Sequence, residues 1–159
     1  MQIDNATAYW CKVVGAPVKG YDEGSLEWSF DISVDNATID GKPALEVLKE
    51  AGLKDRIKNK GDEKGNFLHL KRNAVKKDGE AAKPIRLVDS QNKPWDERLI
   101  GNGSIVNVQT VVDDYGVGKT KKFTIRPLAI QVWNLVPFEG GGSFKTRADG
   151  DQPAAPQEW

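Results

Sequence analysis

A predicted strand, NFLHLKRN, places aromatic and basic side chains at alternating positions. Because successive side chains of a β-strand point to opposite faces, Leu68 and Leu70 are expected to face the core. The other face then carries Phe67, His69 and Lys71. Flat rings stack on nucleobases and a lysine neutralises phosphate, so this face offers the chemistry that single-stranded nucleic acid needs. The same pattern also fits a two-sided strand in which Phe67 packs under a loop.

Five tryptophans are many for a chain of 159 residues, and their surroundings in the sequence differ. Trp28 belongs to an alternating apolar face and is expected in the core. Trp10 alternates with Lys12, and Trp95 lies in a loop rich in turn formers, so these two rings are better candidates for stacking on bases. A packing role is equally open for each of them. Trp133 is expected to point outward or into a subunit contact.

The segment DYGVGKTKK contains part of a phosphate-binding loop but not all of it. The full motif needs a glycine where this chain has Asp113, and it joins a strand to a helix rather than to another strand. The segment therefore predicts a hairpin, either a solvated turn or an arm that follows a nucleic-acid backbone. The aromatic and basic residues of this hairpin and of the strand after it are Tyr115, Lys119, Lys121, Lys122 and Arg126.

The scarcity of cysteine and histidine argues against most catalytic sites. Cys11 is the only cysteine, so a disulfide within the chain and a cysteine zinc cluster are excluded. A catalytic triad would have to include His69, the only histidine, and no nucleophile-elbow sequence accompanies it. The acidic residues do not show the clustering of a metal-dependent nuclease. The sequence predicts a binding protein rather than an enzyme, with no cofactor and no metal.

Net charge is zero, from 23 basic and 23 acidic residues, which at face value disfavours a nucleic-acid partner. The distribution of the charged residues along the chain, however, is compatible with a nucleic-acid partner. Residues 148–159 contain three acidic residues and no basic one, so the rest of the chain has 23 basic against 20 acidic residues, a net charge of +3. The basic residues gather in 54–86 and 119–126. We therefore expect a mildly basic body and an acidic end.

The segment after Phe138 is rich in glycine, proline and charged residues and predicts a flexible tail. An acidic segment that ends in an aromatic residue can insert the ring into a partner's pocket while its carboxylates meet a basic rim. An unstructured end without a role fits the composition as well. The residues of this predicted partner-binding tail are Asp149, Asp151, Glu158 and Trp159.

Strand signals dominate the remaining chain, with one helix predicted over PALEVLKEAG. The segment LEWSFDISV alternates strictly, so its apolar side chains should face the core and Glu27, Ser29 and Asp31 should face water. Pro127, inside the last strand, indicates an edge position or a bulge. Five or six main strands and one interposed helix favour a mainly β protein built as a small closed barrel. No apolar run approaches the roughly 20 residues of a membrane span, and the N-terminus does not look like a secretory signal, so a cytosolic location is expected.

The order of these segments resembles a known family. EWSFDISV, a helix, FLHLKR, IRLVDS, IGNGSIVNV, a glycine hairpin and LAIQVWNLVPF follow one another as in the single-stranded DNA-binding (helix-destabilising) proteins of short-tailed bacteriophages and their relatives. The resemblance extends roughly from Ala6 to Phe138. It implies an OB fold, a five-stranded Greek-key barrel over residues 1–138, followed by a flexible acidic tail over 139–159.

The resemblance also implies a function. Such proteins coat single-stranded DNA during phage DNA replication, recombination and repair in the cytoplasm of the infected bacterium. They often form homodimers, and their acidic, aromatic-ended tails recruit replication or recombination proteins. The DNA-binding residues that it implies here are Phe67, His69, Lys71 and Arg72 on the groove strand, with Lys119, Lys121 and Lys122 on the hairpin.

Two other classes remain open on the sequence. A β-barrel virion or assembly protein would use Trp133 and its neighbours for subunit contacts and would have no nucleic-acid role. A small nuclease ranks third, because it would need a metal-binding acidic cluster. The preference for DNA over RNA and the oligomeric state are not determined by the sequence.

Overall fold

The computed structural model describes residues 1–19, 26–76, 78–115 and 122–137. One α-helix, α1 (Ala44–Glu50), and one 3-10 turn, Lys54–Arg56, lie among the strands. The strands are β1 (Gln2–Lys12), β2 (Val18–Lys19), β3 (Leu26–Ser33), β4 (Thr38–Ile39), β5 (Lys42–Pro43), β6 (Lys58–Asn59), β7 (Asn66–Asn73), β8 (Arg86–Val88), β9 (Ile105–Tyr115) and β10 (Lys122–Asn134).

Five long strands form a barrel in the order β7–β3–β1–β9–β10, and all four pairings along this path are antiparallel. The first strand of the chain is therefore central and pairs on both sides, which is a Greek-key arrangement. β7 and β10 approach each other without pairing and so bring the two ends of the path together. β8 extends the sheet beyond β10 in parallel. The mainly β, OB-type barrel with one helix is confirmed.

The core of the barrel comes from one face of each long strand. Trp28, Phe30 and Ile32 alternate along β3 and are at most 4% exposed, as the period of two predicts. Leu68 and Leu70 lie opposite them on β7 and are fully buried. Ala44 and Leu48 of the helix are fully buried in the same core. Further buried members are Ile3, Ala8, Ala44, Leu48, Leu53, Val106, Val108, Ile130 and Val132.

Pro127 lies next to a register shift between β9 and β10, so the bulge that this proline indicated is present. The N-terminal part of β1, residues 2–8, has few β-branched or aromatic residues, so its sequence does not predict a strand. These residues form a strand through pairing with β9, a contact between distant parts of the chain. Tertiary pairing has overridden local propensity.

The polar face of β3 is not exposed to solvent, so the prediction that it faces water was wrong. Glu27, Ser29 and Asp31 are 4%, 8% and 9% exposed. They line a surface cleft, in which Lys64 pairs with Asp31 and Lys71 with Glu27. Alternation identified the two faces correctly but could not tell whether the second face meets water or other side chains.

No helix within the described residues is long and apolar enough to cross a membrane. The predicted tail, residues 139–159, lies outside the described residues, and the boundary at residue 138 stays a prediction.

Candidate nucleic-acid interface

Two open clefts meet on the outer side of the β1–β3–β7 part of the barrel. Pairing of β3 with β7 sets Asp31 beside His69 and Ser29 beside Lys71 on this side. Both clefts include His69 in their lining, so they form one continuous surface. The first, which we name the aromatic cleft, has a volume of about 370 Å³. It is lined by Trp10, Lys12, Lys19, Glu27, Ser29, Asp31, Lys60, Lys64 and His69.

In the aromatic cleft the carboxylate of Asp31 contacts two basic side chains, His69 and Lys64. Its Oδ1 lies 2.6 Å from Nδ1 of His69, and its Oδ2 lies 3.4 Å from Nζ of Lys64. Burial alone would raise the pKa of Asp31, but its hydrogen bond and charge interaction with His69 and the Lys64 ammonium together hold that pKa below its ordinary value. The carboxylate therefore stays ionised and compensated, and it does not oppose a bound phosphate as a bare charge would.

Phe67 is buried, at 2% exposure, which corrects the prediction that it faces solvent. The loop before β7 folds back so that Nζ of Lys64 lies 4.4 Å from the ring centroid. Lys64 itself is only 5% exposed and bridges Phe67 to Asp31. The alternative of a ring packed under a loop is the one that the structure contains, and Phe67 cannot stack on a base in this conformation.

Trp10 has the exposure that stacking requires. Its side chain is 56% exposed in the aromatic cleft, with Lys12 in the same lining. The residue has a φ of +51° and lies in an irregular stretch of β1, where the register with β3 shifts between Tyr9 and Lys12. A bulge of this kind re-aims a side chain relative to strict alternation. Trp10 thus points outward although the alternate residue Ala8 is buried.

The second cleft, which we name the cationic cleft, lies between β7 and β10 and has a volume of about 760 Å³. None of the described residues that line it is acidic. A Lys71 side chain at its edge lies 3.8 Å from Glu27, so one lysine belongs to the electrostatics of both clefts. The basic residues that line the cationic cleft are Arg56, Lys58, Lys71, Arg72, Lys76 and Arg126.

Arg72 reaches the cationic cleft from a different face than Lys71. It pairs in register with Trp28 and is half-buried. Its Nε is buried without a hydrogen-bond partner among the described residues. Arg126 lies across the cleft on β10 and holds Asp113 at 2.6 Å in an exposed ion pair. Of these two guanidinium groups, Arg72 is thus the one whose Nε is not already bound.

Two tryptophans lie away from both clefts. Trp95 is half-buried against the core, its indole N–H donates to the carbonyl of Arg98, and the Arg98 guanidinium lies 4.5 Å from its ring centroid. The structure does not bring this predicted stacking candidate to the surface that carries Trp10. Trp133 is 51% exposed in the single chain, which fits both an outward orientation and a subunit contact.

Several predicted residues fall partly or wholly outside the described part of the chain. Lys122 begins β10 and is exposed. Lys119 and Lys121 of the hairpin are outside the described residues, as is the side chain of Tyr115. The tail residues Asp149, Asp151, Glu158 and Trp159 are outside them too.

Burial, with a smaller contribution from Asp31, raises the pKa of the Cys11 thiol to about 12, so this cysteine is not a ready nucleophile. Among the described residues, no group of three or more histidine, cysteine or carboxylate side chains is placed to hold a metal ion.

Sequence reasoning missed the lysines that come from loops and short strands. Lys58, Lys64 and Lys76 all line the clefts, although none belongs to the predicted groove strand. The concentration of basic residues in 54–86 was the available signal. It identified the region but not which side chains converge, because convergence depends on the loops that flank β7.

Comparison with known proteins gives similarity of structure only. No protein-family model matches the chain, and no curated protein matches its sequence. The structure is similar to gp2.5, the single-stranded DNA-binding protein encoded by bacteriophage T7, with a TM-score of 0.54 and 14% identity over 92% of this chain and 97% of that one. It is also similar to the single-stranded DNA-binding protein from bacteriophage Enc34 in complex with ssDNA, with a TM-score of 0.58 and 11% identity over 87% and 88%.

At these identities the likeness shows the fold. Both similar structures are bacteriophage single-stranded DNA-binding proteins, the family that the order of sequence segments resembles. The fold of these two proteins is thus the fold that the resemblance implies.

Proposed function

We propose that the chain binds single-stranded DNA without strong sequence preference and without catalysis. The observation that carries this proposal is the exposed Trp10 ring beside Lys12 and His69, in a cleft that continues into one with six lysines and arginines and no acidic residue in its described lining. In OB folds the face of the second and third barrel strands, here β3 and β7, is the surface that receives oligonucleotides. A base stacked on an aromatic ring contributes about 1–3 kcal/mol, and this contribution depends little on which base it is.

The two clefts suggest a division of the DNA between them. Bases would enter the aromatic cleft, where Trp10 provides a stacking surface and the carboxylates are compensated. The sugar-phosphate backbone would continue through the cationic cleft, where Lys58, Lys76 and Arg72 have no acidic neighbour in the described lining. Phosphate contacts release counterions, so affinity should fall as salt rises.

The wider role that we propose follows the resemblance and the similar structures. The protein would coat single-stranded DNA during phage replication and recombination, in the cytoplasm of an infected bacterium. Its tail would recruit other replication or recombination proteins through Asp149, Asp151, Glu158 and Trp159. A homodimer belongs to the same proposal.

The test is a titration with oligo-dT at increasing salt, followed by intrinsic tryptophan fluorescence. We expect quenching at low salt and a linear fall of log affinity with log salt concentration. Competition with double-stranded DNA and with RNA of the same length measures the preference. Absence of binding at low salt, or equal binding to duplex, would contradict the proposal.

A virion or assembly protein is the alternative function. Exposed apolar residues away from the clefts favour it, namely Leu99, Leu128, Trp133 and Val136. Such a protein would form large oligomers whose size does not depend on nucleic acid. Sedimentation of the purified chain with and without oligo-dT distinguishes the two functions.

A further inference from the structure

We infer that Asn102 is a positioning residue that holds Trp10 in its DNA-binding orientation. The backbone N–H of Trp10 donates to Oδ1 of Asn102 at 2.8 Å, over 92 positions of sequence. This contact occurs at the residue where β1 departs from regular pairing with β3. The inference rests on the proposed function and identifies the residue on which its main stacking group depends.

The backbone conformation of Trp10 is unfavourable for its residue type. Its φ of +51° lies in the left-handed region, where bulky side chains are rare and glycine or asparagine is preferred. A chain that needed only the bulge would place a small or amide residue at this position. Strain of this kind persists where the surrounding structure enforces it, most often at functional sites. The ring that is held this way is the exposed one in the aromatic cleft.

The backbone of the loop that carries Asn102 is held by hydrogen bonds on both sides of this residue. Gly103 donates its N–H to the carbonyl of Ala8, and Ala8 donates to the carbonyl of Ser104. Gly101 donates to the carbonyl of Val136 at 2.8 Å, and a Cβ at this glycine would lie 2.5 Å from that same oxygen. The GNGS segment therefore fits only with glycine at its first position and connects β1 to the chain after β10.

The same strand contains a matched control. Asn5 also has a positive φ, +58°, and its N–H donates to Oδ1 of Asn107 at 3.0 Å. An asparagine side chain therefore holds each irregular point of β1. Asn5 is a residue type that tolerates this conformation, and it lines neither cleft. Of the two asparagine contacts, only the one between Asn102 and Trp10 holds a residue whose ring faces the proposed DNA path.

The experiment measures binding of the full chain to a fluorescein-labelled oligo-dT by anisotropy. Asn102→Ala should lower affinity by about 5- to 150-fold, the loss expected for one stacked base, while Asn107→Ala should keep wild-type affinity. In a Trp10→Ala background, Asn102→Ala should add little further loss, because the ring that it positions is absent. Wild-type affinity in Asn102→Ala, or an equal loss in both backgrounds, would overturn the inference.

A second comparison covers the case in which Asn102→Ala does not fold. Glycine adopts a positive φ without strain, so Trp10→Gly should reduce the dependence of the fold on Asn102. The midpoint of urea unfolding should fall less when Asn102→Ala is added to Trp10→Gly than when it is added to the wild type. An equal fall contradicts a link between the two residues. If the wild type itself fails to bind oligo-dT, the proposed function is wrong, whereas this unfolding comparison still reports whether Asn102 holds position 10.

Discussion

The aromatic and cationic clefts meet at His69 and differ in how their charges are arranged. In the aromatic cleft the carboxylate of Asp31 lies between His69 and Lys64, and most of these groups are removed from water. In the cationic cleft Lys58 and Lys76 are exposed, and no carboxylate belongs to the described lining. The carboxylate of the first is compensated by neighbouring basic groups, whereas the described lining of the second contains more basic than acidic side chains. Under the proposed function, the first contributes stacking and the second contributes the salt dependence of affinity.

The largest effect is expected at Phe67, the buried ring that packs beneath Lys64, and not at the exposed Trp10. Phe67→Ala removes a ring that is 2% exposed and should lower the free energy of unfolding by about 3–5 kcal/mol. Phe67→Leu, which keeps most of the volume, should cost less than about 1.5 kcal/mol. Urea unfolding of both variants measures this. A Phe67→Ala protein with wild-type stability and weakened DNA binding would restore Phe67 as a stacking residue.

Trp10→Ala tests the contribution of the exposed ring. Affinity for oligo-dT should fall by about 1–3 kcal/mol, and the slope of log affinity against log salt should stay unchanged because no phosphate contact is lost. Trp133→Ala removes an equally exposed ring outside both clefts and should bind as the wild type does. Equal effects of the two substitutions would show that exposure, rather than the cleft, explains the change.

Asp31 tests whether the compensated charge of the aromatic cleft stabilises the fold. Because its pKa is lower in the folded state, its contribution is present above the ordinary value of about 3.9 and is lost as pH falls through the lower folded pKa. Asp31→Asn should lower the free energy of unfolding at pH 7 by roughly 1–3 kcal/mol and flatten its fall below about pH 4.

Asp113→Asn is the matched control for Asp31, since it removes an exposed partner of Arg126 and should cost at most about 1 kcal/mol. Urea unfolding between pH 2 and pH 7 measures both variants. Equal losses of unfolding free energy in the two variants would show that the burial of Asp31 does not increase its contribution to stability.

The smallest effect per residue is expected in the cationic cleft. Lys58→Gln combined with Lys76→Gln should reduce the salt slope by up to about 1.4, at about 0.7 for each lost contact with single-stranded phosphate. Both side chains are exposed, so stability should not change. Lys42→Gln with Lys49→Gln removes the same charge from residues that line neither cleft. Identical salt slopes for the two double variants would mean that net charge alone, and not this cleft, attracts the DNA.

Local pattern was sufficient wherever one face of a strand is buried. The alternation in LEWSFDISV and the leucines of NFLHLKRN predicted which side chains form the core, and Pro127 predicted a bulge. The lone cysteine and histidine narrowed the range of catalytic sites without any structure. These signals are local, because hydrophobic spacing and proline chemistry act over a few neighbouring residues.

Only the tertiary structure determined which side chains on the second face of each strand are exposed. Alternation treated Phe67 and Trp10 alike, as rings next to a cation on a polar face. A loop folds Lys64 over Phe67 and buries it, whereas Asn102, 92 positions away from Trp10, holds that residue in a bulge that turns its ring outward. Both outcomes depend on contacts between distant segments, which sequence spacing does not encode. The sequence by itself determined a barrel with an aromatic and basic strand pair, and the tertiary contacts determined which of its rings can meet a base.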